Sequence, residues 1–237
     1  MLIKVTQLDY VSRRVLMEKT NFLKAIQTLR TTSGKRKFDQ TFDIVINLKG
    51  LDLKKEADRI LLFALLPFTR GKKLKIGAFV DKELSTKARE SCDKVVLKDE
   101  FKNYDETTIR TLLRDVDIFI AQANIMPQVA MTFGKILGPV GKMPNPKAGC
   151  VVPPTAELKQ LTERLQKTVR LETKNELSVK APVGTEKMKD DEIAENMLTI
   201  YNSVLHAVPG EKEGIREVLV KLTMSKPVQV VEEKANG

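Results

Sequence analysis

Residues 74–97 read LKIGAFVDKELSTKARESCDKVVL, and the rhythm of this stretch decides the architecture. Leu74 to Val80 is a short apolar run with the look of a strand. Lys82 to Ser91 suits a helix, and Lys94 to Leu97 is a second strand. The same unit then recurs, with Glu106 to Arg114 as helix and Asp117 to Ala121 as strand. A further helix runs from Pro127 to Leu137, where proline is welcome in the first turn because no amide donor is needed there. Strands alternating with helices imply a parallel sheet covered by helices.

Working outward, the rhythm is different on both sides. Upstream, Val11, Val15, Phe22, Ile26 and Leu29 fall on one face of a helix ending before Gly34. Phe42, Ile44, Ile46 and Leu48 then alternate with Asp43 and Asn47, the period of a strand with one buried face. A turn through Gly50 and Asp52 follows, and Ile60 to Leu66, stopped by Pro67, reads as either a buried strand or the end of a helix, with strand favoured. Downstream, residues 138–154 hold five prolines and three glycines, which predicts an ordered, non-repetitive connection. Leu158, Leu161, Leu165 and Val169 form an amphipathic helix running into a strand, and Leu177 to Ala181 is another strand. Asp190 is placed to cap a helix carrying Ile193, Met197, Ile200 and Val204, with Glu217 to Leu222 as the last strand. His206 falls near that helix's end, where a packing or surface role suits it.

This order, mixed then alternating then mixed, is what an insertion produces. The expected fold is mixed α/β. Residues 1–67 and 155–237 form a discontinuous two-layer α+β domain, and residues 68–154 form an inserted three-layer Rossmann-like domain. Two crossings at one place would make a hinge.

The net charge of +10 invites an acidic partner, and its distribution narrows the choice. Residues 1–154 carry 28 cations against 17 anions, whereas residues 155–237 carry 13 against 14. The surplus gathers in short runs, Gly34-Lys35-Arg36-Lys37 and Arg70-Gly71-Lys72-Lys73-Leu74-Lys75. The longest apolar run, from Ile60, is about eight residues, whereas a membrane-spanning helix needs about 20. No membrane span is expected, and the first residues lack a secretory pattern, so a cytoplasmic protein is expected. Cys92 and Cys150 read as small buried thiols of a reducing compartment.

The sequence offers no catalytic constellation and no metal or cofactor signature. After Val80 comes Asp81-Lys82-Glu83, with no glycine-rich turn that would let main chain approach a pyrophosphate. In Gly138-Pro139-Val140-Gly141-Lys142 a P-loop would need glycine in place of Ile136 and Ser or Thr in place of Met143. One histidine leaves little for Ser or Cys nucleophiles. Aromatics total 5% with no tryptophan, so a stacking platform for single strands has little support. RNA recognition would rest on shape, backbone and sugar hydroxyls. Two other classes compete: an enzyme or sensor with a small-molecule ligand at the α/β sheet, and a basic scaffold that binds acidic surfaces nonspecifically.

Residues 136–147, ILGPVGKMPNPK, resemble the signature of the universal large-subunit ribosomal protein of the stalk beside the tRNA exit site, the "L-one" family. The resemblance extends over nearly the whole chain. Lys37-Phe38-Asp39-Gln40-Thr41-Phe42 is similar to that family's first RNA-facing strand, and Lys221-Leu222-Thr223-Met224-Ser225 to its last strand and RNA-contacting turn. Ala181-Pro182-Val183-Gly184 falls between them, and residues 117–122, DIFIAQ, are similar to archaeal members.

The resemblance implies a non-enzymatic ribosomal protein without cofactor, a monomer within the large ribosomal subunit of the cytoplasm. Its partners would be large-subunit rRNA, exit-site tRNA, and its own mRNA through imitation of the rRNA site. It would help release deacylated tRNA and repress its own translation, with no membrane or small-molecule partner. Residue by residue, it places rRNA binding on Arg36, Lys37, Phe38, Thr41, Thr223, Met224 and Ser225. Hydroxyls and main-chain groups would meet 2′-hydroxyls and phosphates, while Phe38 and Met224 supply apolar shape. Lys142 and Lys147 are the candidate tRNA contacts. The chain departs from the family's usual motif at two places. Ser225 stands where glycine is usual, and Val140 where arginine is usual.

Overall fold

The computed structural model describes residues 17–34, 36–55, 58–209 and 211–231. Val11, Val15 and Lys35 lie outside them. The strands are β1 (Thr41–Leu48), β2 (Leu61–Leu65), β3 (Ile76–Val80), β4 (Lys94–Leu97), β5 (Ile118–Gln122), β6 (Val151–Val152), β7 (Thr168–Glu172), β8 (Ser178–Thr185), β9 (Ile215–Leu222) and β10 (Val228–Gln229). The helices are α1 (Lys19–Thr32), α2 (Ser85–Ser91), α3 (Glu106–Asp115), α4 (Met126–Val140), α5 (Leu158–Lys167) and α6 (Asp190–Ala207). The chain folds as mixed α/β and divides into two compact units, residues 1–71 with 170–237, and residues 72–169.

In the first unit an antiparallel sheet in the order β10-β9-β1-β8 is covered by α1 and α6. The alternation in β1 does what its period dictates. Phe42, Ile44, Ile46 and Leu48 are buried under the helices, and the intervening residues are half-buried on the other face. From the helices come Phe22, Ile26 and Leu29 of α1 and Ile193, Met197, Ile200 and Val204 of α6. Phe22 and Tyr201 meet edge to face at 6.2 Å. Asp190 does not cap α6. Lys189 holds the cap position, and the Asp190 carboxylate accepts from Arg30 Nε at 2.7 Å. The Arg30 guanidinium also donates to the Glu186 and Met188 carbonyls, which fastens the turn before α6 to α1.

β8 is an edge strand, the place where a sheet tolerates Pro182. The β1–β8 register shifts there: Phe42 faces Gly184 and Asp43 faces Pro182, leaving Val183 as an extra residue. The fully buried Asn196 of α6 serves that bulge, donating Nδ2 to the Val183 carbonyl at 2.8 Å and accepting from Phe68 N–H at 3.1 Å. β2 pairs with β7, which bears out a strand within residues 60–66 but not a buried one: Leu61 and Leu65 are exposed, and Ala64 is the one buried residue of β2.

In the second unit the parallel order is β4-β3-β5-β6. The chain steps outward from β3 to β4 and then back across to β5, so right-handed crossovers place α2 and α3 on opposite faces. β3 is accordingly buried at every residue. Phe79 is its anchor: it stacks on Phe119 at 5.2 Å, meets Phe133 at 4.8 Å and meets Phe101 edge to face at 5.9 Å. Ile109 and Leu113 of α3 and Val129 and Leu137 of α4 complete this core.

Three expectations for the middle of the chain need correction. α4 runs past Leu137 through Pro139, ending at Gly141, whose φ of 74° is the left-handed conformation glycine adopts freely. The proline-rich connection also holds β6, which pairs with β5 and was invisible because two residues carry no period. The crossings fall at residues 71/72 and 169/170, not at 67/68 and 154/155, so α5 belongs to the inserted unit. α5 packs on α2, and the Gln166 amide both accepts from Leu74 N–H and donates to its carbonyl, each at 2.8 Å. An amphipathic stripe announces a helix but not which core it joins.

Candidate nucleic-acid interface

Three segments of the first unit converge on the start of β1. The turn after β9 closes on itself. Ser225 N–H donates to the Leu222 carbonyl at 3.1 Å, and Leu222 N–H donates to Ser225 Oγ at 2.8 Å. Ser225 therefore staples the turn through its own side chain. The Thr223 hydroxyl accepts from Thr41 N–H at 3.0 Å and donates back to the Thr41 carbonyl at 3.4 Å, tying the turn to β1. Both hydroxyls are spent inside the protein. Thr41's own hydroxyl has no hydrogen-bond partner among the described residues.

Gln40, which the sequence reading passed over, lies under this arrangement and is only 1% exposed. Its Oε1 accepts from Met224 N–H at 3.2 Å and its Nε2 donates to Glu186 Oε1 at 3.3 Å. Its main-chain N–H donates to Glu186 Oε2 at 3.1 Å, and its carbonyl accepts from Glu186 N–H at 3.0 Å. The signal was present: Gln40 continues the buried phase of Phe42, Ile44 and Ile46, so a polar side chain was bound to point inward and to need partners. Glu186, after β8, had no comparable mark.

Two large apolar side chains of these segments are exposed, Phe38 at 51% and Met224 at 60%. Arg36 and Lys37 are exposed and form no ion pair among the described residues, whereas Asp39 is engaged by Lys187 at 2.7 Å. Asp43 and Lys221 face each other across the β1–β9 ladder. Burial raises the Asp43 carboxyl above its usual range, and Lys221 partly offsets this. The result is an apolar and cationic rim on a rigid hydrogen-bonded frame, which suits a structured polyanion better than a small molecule.

The second unit presents no comparable site. Chain order reverses between β3 and β5, where a doubly wound sheet would hold a nucleotide at the strands' carboxyl ends. Those amides are occupied: Asp81 N–H donates to the buried Gln122 at 2.9 Å, and Lys82 N–H to the Asp81 carboxylate at 2.8 Å. Lys98 and Lys82 pair with Asp81 and Asp99 above them. No group of side chains suited to a metal occurs among the described residues. The Cys92 thiol is pushed up to about 11, mainly by burial, and burial also raises Cys150, so neither is a ready nucleophile.

Lys142, a candidate tRNA contact by the resemblance, is engaged within its own unit. Its ammonium donates to the Leu113 carbonyl at 2.7 Å and the Val116 carbonyl at 2.6 Å, satisfying the carbonyl end of α3. Its neighbour in the signature, Lys147, is exposed, in a short 3₁₀ turn capped by Asn145. Lys142→Met keeps the aliphatic stem and removes the donors. It should lower the stability of this unit by about 1–3 kcal/mol, read as an earlier urea transition, and leave RNA affinity unchanged.

A hydrogen-bonded sheet end with cationic and apolar edges has the make-up of a nucleic-acid-binding protein. Residues 28–226 match the Ribosomal protein L1p/L10e family, and the chain belongs to it. It is similar to proteins named large ribosomal subunit protein uL1. That of Nanoarchaeum equitans is 39% identical, covering 83% of this chain and 93% of the relative. That of Pyrococcus abyssi is 37% identical over 92% and 98%. That of Methanothermococcus thermolithotrophicus is 38% identical over 90% and 99%. The chain is thus a ribosomal protein and not an enzyme, and its place is the ribosome.

Proposed function

We propose that the first unit anchors the protein to large-subunit ribosomal RNA through the start of β1 and the turn after β9, with Arg36, Lys37, Phe38, Thr41, Thr223, Met224 and Ser225 forming the interface. The observation that carries this reading is the pairing of exposed Phe38 and Met224 with a backbone frame held by Gln40, Thr223 and Ser225. Such a frame presents apolar shape and main-chain groups to RNA without reordering on binding, and Arg36 and Lys37 add salt-sensitive phosphate attraction. The inserted unit carries Lys147 toward exit-site tRNA and assists release of deacylated tRNA. The same RNA-binding surface represses translation of the protein's own mRNA where that message imitates the rRNA site.

The test is a titration of the full chain against a folded rRNA stalk fragment, a leader fragment of its own mRNA, and an unrelated RNA of equal size, at several salt concentrations. A preference for the rRNA fragment of about 10³ or more at physiological salt is expected, with the leader competing for the same site. Equal, salt-labile binding to all three would leave only a basic protein and overturn the reading.

A further inference from the structure

Met224 N–H is held from inside the protein, by a side chain whose orientation is forced. A main-chain N–H can only donate and an ionised carboxylate can only accept. Gln40 stands between one of each, so its carbonyl oxygen must face Met224 and its amide nitrogen must face Glu186. Glu186 also receives Gln40 N–H on its second oxygen, and its own N–H returns to the Gln40 carbonyl. Four hydrogen bonds thus join residues 146 and 184 positions apart in the chain. The turn that bears Glu186 is itself fixed by Arg30 to α1, and Lys187 reaches Asp39.

We propose that Gln40 and Glu186 are positioning residues for RNA recognition. They form a reciprocal amide–carboxylate clamp that sets the height of Met224 above the sheet while touching no RNA themselves. The inference rests on the assignment of the Thr223-Met224 turn to RNA. With Gln40 buried just before β1, in phase with that strand's inward face, its side chain is withheld from any ligand over the rim, so its effect passes through Met224.

The clamp makes a prediction that ordinary packing does not. Gln40→Glu sets two carboxylates against each other and loses the donor. Glu186→Gln sets two amides together and removes an acceptor. The double exchange, Gln40→Glu with Glu186→Gln, restores every bond with the roles reversed: the carboxylate at position 40 accepts from Met224 N–H and from the new amide, and the oxygen of that amide accepts from the main-chain N–H of position 40. Each single variant should bind the rRNA stalk fragment about 10- to 100-fold more weakly, and the double variant should return to within about threefold of the parent. The dependence of affinity on salt should keep its slope in all of them, because no phosphate contact is lost.

Hydrogen exchange of Met224 N–H in the free protein gives a readout independent of RNA. It should be faster in each single variant and slow again in the double. Single variants that bind like the parent with Met224 protection lost, or a double variant no better than its singles, would overturn the clamp. A single variant that fails to fold leaves the double variant to decide the matter. A parent that shows no preference for the rRNA fragment would instead defeat the RNA assignment, while the exchange pattern would still report on the clamp.

Discussion

Thr223→Val combined with Met224→Ala should weaken binding to the rRNA stalk fragment by about 2–4 kcal/mol, roughly 30- to 1,000-fold. Two losses add. Met224 is 60% exposed, so truncating it removes little from the protein's own core and withdraws an apolar contact available to a ligand. Thr223 contributes its hydroxyl to Thr41, so valine removes one of the ties between the turn and β1 and leaves Thr41 N–H without its partner. Because these groups lie at the surface, solvent can meet the freed N–H, and the melting temperature should stay within a few degrees of the parent. Calorimetric titration and thermal unfolding on the same sample check both halves. An affinity within about threefold of the parent in a folded variant would sink the assignment of this turn to RNA.

The largest effect on stability is expected at Phe79→Ala. Phe79 is fully buried and touches three other rings, Phe101, Phe119 and Phe133, which come from three different segments around the β3 strand. Removing it leaves a cavity that these rings cannot close without leaving their own packing, at a cost of about 3–5 kcal/mol. The loss should be confined to the inserted unit. Amides of β3, β5 and α4 should exchange faster, those of β1 and β9 should not, and affinity for the rRNA fragment should be unchanged. A loss below about 1 kcal/mol would mean that this cluster collapses around the gap. Slower RNA binding alone would not bear on the point.

Much of this is legible in the sequence. The alternation of Phe42, Ile44, Ile46 and Leu48 predicts a strand with one buried face, and β1 has it. The strand–helix units from Leu74 to Leu137 predict a parallel sheet, and β3, β4 and β5 form it in parallel register. These readings succeed because side-chain direction within a strand or helix depends only on neighbours a few residues away. They stop where the cue is too short or the competing cores are alike. β6 and β10 are two residues each, and the stripe of Leu158, Leu161 and Leu165 would serve either unit.

The site divides in the same way. Phe38, Thr41, Thr223 and Met224 could be named from the family resemblance, and Gln40 could have been noticed from its phase. What each group does was decided by partners that sequence does not place beside it. Lys142, a plausible contact by its place in the signature, is turned to the carbonyls of Leu113 and Val116. Ser225 closes its own turn, and Gln40 finds Glu186. Thus the sequence by itself determined the order of the longer strands and helices and the family, and it pointed to the segments proposed for RNA. The tertiary structure alone decided which polar groups are already paired within the protein. The physical reason is that burying a donor or acceptor requires a partner, and that partner is chosen by how distant segments pack.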